Sequence, residues 1–110
     1  MTQPKIVSIN NGFAIVAGGI VDAVSFDDVR AIVAYRLDAV TSDLLCCDII
    51  TGSVDDEQIR TIHEDIPGFE ATMTRCEVLP GFDKGWRAAA LRSQAVNTRI
   101  AIYHRTASAS

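Results

Sequence analysis

From Lys5 to His63 the chain reads as short β-rich segments, some alternating apolar with polar and some apolar on both faces; at Phe69 the period lengthens. Lys5 to Ile9 alternates and is rich in β-formers. Asn10-Asn11-Gly12 supplies the positive-φ residues of a tight hairpin, and Phe13 to Ala17 returns as its second strand. Gly18-Gly19 breaks that strand or bulges it, and Ile20 to Val24 continues extended. Ser25 to Leu37 fits two templates. As a helix it has Ser25 as cap and Val29, Ile32, Val33 and Leu37 at helical spacing. As a strand it places Val29, Ala31, Val33, Tyr35 and Leu37 on one face, with Arg30, Ile32, Ala34 and Arg36 on the other. The β-branched residues and Tyr35 favour a short turn at Ser25 to Asp28 followed by a strand.

Thr41-Ser42-Asp43 signals a turn, and Leu44 to Thr51 is apolar on both faces, as a central strand is. Gly52 to Glu57 reads as the polar tip of a hairpin whose second strand, Gln58 to His63, is stopped by Pro67. The tripeptide Pro-Gly-Phe occurs twice, at Pro67-Gly68-Phe69 and Pro80-Gly81-Phe82. Proline fixes φ and lacks a donor, and glycine admits left-handed geometry, so each pair halts what precedes it. Between them Phe69, Met73 and Cys76 share one helical face. Asp83 is placed to cap a second helical stretch through Trp86, Ala89, Ala90 and Val96. Arg99 to Arg105 alternates again, with Ile100, Ile102 and His104 opposite Ala101 and Tyr103, and Thr106 to Ser110 reads as a tail. Strands, then helix, then strand indicate an α+β fold. The expectation is an antiparallel sheet of about five to six strands with one or two helices near the C-terminus packing on it, then a final strand.

With 110 residues the expectation is a single domain, residues 1–110. The longest apolar runs are too short to span a bilayer, so no membrane partner is expected. Met1-Thr2-Gln3-Pro4-Lys5 does not resemble a signal peptide, so the cytoplasm is the expected compartment. Three cysteines without C-x-x-C spacing argue against a disulfide framework or a zinc site, and buried small apolar roles are expected for all three. All fourteen acids lie between Asp22 and Asp83 among only four basic residues, whereas Lys84 onward holds five basic residues and no acid. The net charge of −4 and the lack of a basic motif disfavour nucleic acid. The acidic body suits a basic protein partner.

Asp28 to Asp38, Thr41 to Cys46, His63-Glu64-Asp65-Ile66-Pro67-Gly68-Phe69, and Leu79-Pro80-Gly81-Phe82 with Trp86 together resemble a family of small uncharacterised bacterial domains. That resemblance implies a strand for the first string. The layout is also similar, at fold level only, to immunity-protein and pleckstrin-homology-like domains, which transfers no function.

His63-Glu64-Asp65 is the densest titratable cluster, and with His104 it would supply an acid/base pair or metal ligands if the last strand lay beside Gln58 to His63. Otherwise it is a solvated strand end. Asp55-Asp56-Glu57 lacks the spacing of a calcium loop. The glycines form no phosphate loop, no serine sits in a nucleophile elbow, and no cofactor is expected. Trp86 with Arg87 has the composition of an interface anchor, or else of a plug between helix and sheet. A non-enzymatic protein-interaction module is the leading expectation, with a homodimer through a sheet edge or face. The alternative is a small enzyme or ligand-binding protein using His63, Glu64, Asp65 and His104.

Overall fold

The computed structural model describes residues 3–37, 43–92 and 98–105. Seven strands form two antiparallel sheets among these residues. The first sheet contains β1 (Lys5–Ile9), β2 (Gly12–Ala17) and β3 (Ile20–Ser25) in sequential order. A 3₁₀ turn, Phe26–Asp28, leads to β4 (Val29–Leu37), β5 (Leu44–Ser53) and β6 (Asp56–His63). Two helices follow, α1 (Phe69–Cys76) and α2 (Trp86–Arg92), and β7 (Ile100–His104) completes the second sheet in the order β6-β5-β4-β7. The α+β class is as expected, but one continuous sheet is not. The chain changes sheets at Ser25, whose Oγ accepts from the Asp27 N–H at 3.2 Å, while Phe26 turns into the core. The ambiguous segment resolves to a turn and a strand. Gly18-Gly19 makes a turn into β3 rather than a bulge, and the expected six-residue tip at Gly52 to Glu57 contracts, since β5 runs to Ser53 and β6 starts at Asp56. Thr41, Ser42, Val96 and Thr106 to Ser110 lie outside the described residues.

The two sheets share one core, to which the first contributes Phe13 and Val24 and the second Ile32, Ile49 and Ile62. The Arg60–Asp22 ion pair, at 2.7 Å, joins β6 to β3 at one end. Two bulges overturn the strict alternation expected of β4 and β7. In β4 the register slips between Val29 and Ala31, which puts Val29 in the core with Ile32 and Ala34 and apart from Ala31, Val33 and Tyr35. In β7 the slip at Ile102 aligns Tyr103 with Ile32 on the core face and leaves His104 exposed opposite Ala31. Each slip admits an extra residue, so the period of two changes phase.

Each Pro-Gly-Phe stop is bolted to a strand. Pro67 O accepts from Ile6 N of β1 at 2.8 Å, and the Asp83 N–H, just after the second stop, donates to Ile102 O of β7 at 2.8 Å. Between these anchors α1 buries Phe69, Thr72, Met73 and Cys76, one face of a two-turn helix. In α2, Trp86 and Ala90 face the same core, and Trp86 meets Phe69 edge-on with ring centroids 6.5 Å apart. α1 therefore packs on β1 and α2 on β4 and β7, and buried side chains of both helices and both sheets share one core. No described helix is long and apolar enough to cross a membrane.

Candidate functional site

The histidines do not converge. β7 pairs with β4, not β6, so His63 and His104 occupy opposite edge strands. Three strand spacings separate them by roughly 14 Å across the sheet, and the register adds about 13 Å along it. His63 Nδ1 accepts from the Asp65 N–H at 3.2 Å, Glu64 N donates to Leu45 O at 3.1 Å, and Ile66 N donates to His63 O at 3.0 Å. These bonds close the turn after β6 and leave the Glu64 and Asp65 side chains exposed. Among the described residues, no group of three or more His, Cys, Asp or Glu side chains is arranged to hold a metal ion.

Trp86 is only 1% exposed, and its Nε1 donates to Glu77 Oε2 at 3.0 Å. Arg87 lies over the indole, 5.1 Å from its centroid, and pairs with Glu70 at 2.5 Å. The pair plugs α2 onto the core, and a side chain buried this far offers no anchor on the free surface.

The face of β4–β7 turned away from the helices is organised differently. Alternation and the β4 bulge direct Ala31, Val33, Tyr35 and Leu37 outward, with Leu44, Cys46, Asp48 and Ile50 of β5 and Ile59, Thr61 and His63 of β6 beside them. Asp48, 4% exposed, is the polar centre of this face. Tyr35 Oη donates to its Oδ1 at 2.9 Å and Thr61 Oγ1 at 2.7 Å, and Arg99 Nη1 reaches Oδ2 at 2.5 Å. The Arg99 guanidinium crosses β4 to do so, lying 4.4 Å from the Tyr35 ring centroid. Burial by itself pushes the Asp48 carboxyl up. Hydrogen bonds from Arg99, Thr61 and Tyr35, with the Arg99 charge, outweigh it and hold the carboxyl below its ordinary value. Burial, then the Asp48 bond and charge, raises the Tyr35 phenol. Cys46 is 2% exposed beside this cluster, and burial followed by the Asp48 charge pushes its thiol up, which disarms it as a nucleophile. Around this paired centre the rim is mixed: Ile59 is 55% exposed and Leu37 42%, with Thr61 and His104 also exposed.

A second concavity of about 720 Å³ lies between the 3₁₀ turn, the end of α1 and the end of β7. Phe26, Leu79 and Tyr103 line it together with Arg75 and Arg105. Sequence reasoning passed over both places. Asp48 was legible as the lone carboxylate within an apolar central strand, but its three donors come from β4, β6 and the approach to β7. The groove joins residues far apart along the chain, and no local spacing announces it.

No protein family, curated protein or solved structure matches the chain.

Proposed function

We propose that this chain is a non-enzymatic interaction module that associates through the outer face of its four-stranded sheet, with a second copy of itself as the occupant. The observation that carries this reading is that face: exposed Leu37 and Ile59 on its margins, and its central carboxylate already satisfied by Tyr35, Thr61 and Arg99. At one end Arg30 pairs with Glu57, so charge is cancelled there as well. Elsewhere the body is acidic from Asp22 to Asp83, and two copies at a net charge of −4 repel least where they meet on faces whose charges are already paired. An isologous contact between two such faces satisfies that condition. An acid/base or metal reading has less support, because His63 and His104 stand apart and the cysteine thiols are buried.

Sedimentation velocity across a concentration series tests this. A dimer is expected, and Ile59→Lys, at an exposed position that costs little stability, is expected to return it to monomer. A wild-type chain that stays monomeric at high concentration, or a dimer indifferent to Ile59→Lys, removes the reading.

A further inference from the structure

The groove between the 3₁₀ turn, the end of α1 and β7 differs in kind from the outer sheet face. Its volume, about 720 Å³, lies within the range of small-molecule sites. Its floor is apolar and aromatic, from Phe26, Leu79 and Tyr103, with Phe26 9% and Tyr103 4% exposed. The two cations beside it are held in place without being neutralised. Arg75 donates to Gly12 O and lies over the Phe26 ring, 5.0 Å from its centroid. Arg105 donates to Asp27 O and, at 2.9 Å, to Phe26 O. Arg30, Arg36, Arg60, Arg87 and Arg99 each pair with a carboxylate; among the described arginines Arg75, Arg92 and Arg105 do not, and of these three Arg75 and Arg105 line the groove. The one carboxylate lining the groove, Asp27, is engaged by Asn11 Nδ2 at 3.0 Å.

A guanidinium carries five N–H donors, and neither arginine spends more than two on backbone carbonyls. Both converge on Phe26, one on its ring and one on its carbonyl, so fixed positive charge stands beside an aromatic floor. Carbonyl bonds orient such a group and leave its charge available to a bidentate acceptor. An inorganic anion would meet the charge and leave the floor wet, while a neutral apolar molecule would cover the floor and leave the guanidiniums unpaired. We infer that the groove binds a small organic carboxylate with a flat apolar body, its carboxylate meeting Arg75 and Arg105 and its body lying on Val78 and Leu79 beside Phe26 and Tyr103. Arg105 is the one basic residue of the acid-free C-terminal stretch that lines the groove.

The test uses 2-naphthoate and its neutral counterpart 2-naphthalenemethanol, titrated into the full chain and followed by amide chemical shifts. Naphthoate is expected to shift Thr74, Val78, Leu79 and Arg105, and to bind at least about tenfold more tightly than the alcohol. Arg105→Gln is expected to weaken naphthoate by about tenfold and leave the alcohol unchanged. The comparison of the two ligands on the wild-type chain decides the matter even if that variant does not fold. Equal affinities, shifts confined to Val33, Ile50 and Ile59 on the sheet face, or no shifts at roughly 1 mM ligand would overturn the inference.

Discussion

The two Pro-Gly-Phe tripeptides are identical in sequence and sit in different surroundings, so alanine at Gly68 and at Gly81 separates backbone strain from close approach. Both glycines are left-handed, with φ of 95° and 84°. An alanine forced there costs about 1–2 kcal/mol, offset by about 0.4–1 kcal/mol from a less flexible unfolded chain. At Gly81 nothing lies within 4 Å of an added Cβ, so the expected loss is about 1 kcal/mol. At Gly68 an added Cβ would stand 2.0 Å from Ile6 O and 2.8 Å from its carbonyl carbon, which are backbone atoms that cannot rotate away. Relief requires β1 to draw back, which breaks the Ile6 N–H to Pro67 O bond and shifts a side chain only 5% exposed. Unpairing the N–H of buried Ile6 adds about 1–3 kcal/mol and the lost burial of its side chain about 1 kcal/mol more, for a total of about 3–5 kcal/mol. For a domain stable by about 5–15 kcal/mol that is a large share.

Urea unfolding reads the difference, with Trp86, the one tryptophan and 1% exposed, as the fluorescent probe. The Gly81→Ala midpoint is expected to move slightly and the Gly68→Ala midpoint several times further, with unchanged slopes. Losses equal to within about 0.5 kcal/mol would refute the claim that β1 is fastened by the first tripeptide.

Asp48→Asn is expected to cost about 1–3 kcal/mol near neutral pH. Because the folded carboxyl titrates below its ordinary 3.8, its contribution is complete above that value and is lost as pH falls through the folded one. The variant should therefore lose less stability than wild type on acidification in melting curves from about pH 6 to about pH 2, and parallel curves would contradict the geometry. Trp86→Phe removes the Nε1–Glu77 bond and leaves a void against Phe69, an expected loss of about 1–3 kcal/mol in thermal melts; an unchanged melt would mean Trp86 is not a core plug. Burial raises all three thiols, Cys76 to about 12 despite neighbouring Arg75, so native protein should react with a disulfide reagent only as fast as it unfolds. Prompt modification of any one thiol would show that burial is incomplete.

The expected elements of the fold were legible because their causes are local. Val29 to Leu37 became a strand because β-branched residues resist helical crowding, and Ser25 capped the turn before it through its own hydroxyl. Leu44 to Thr51 was recognisable as a central strand from apolar residues on both faces. The candidate sites were much less so. His63-Glu64-Asp65 attracted notice through density along the chain, yet its members close a turn. Asp48, one carboxylate within an apolar run, gathers donors from three other segments.

From the chain alone came the extended and helical segments, their stops at proline and glycine, the α+β class and the lack of any local ligand-spacing motif. These follow from backbone sterics and side-chain period, which act over a few residues. Tertiary structure decided that the sheet divides at Phe26, that β7 docks on β4, and that bulges at Arg30 and Ile102 reverse which residues face the core. Strand order and bulge placement depend on which distant surfaces bury best against one another, and that competition leaves no trace in neighbouring residues.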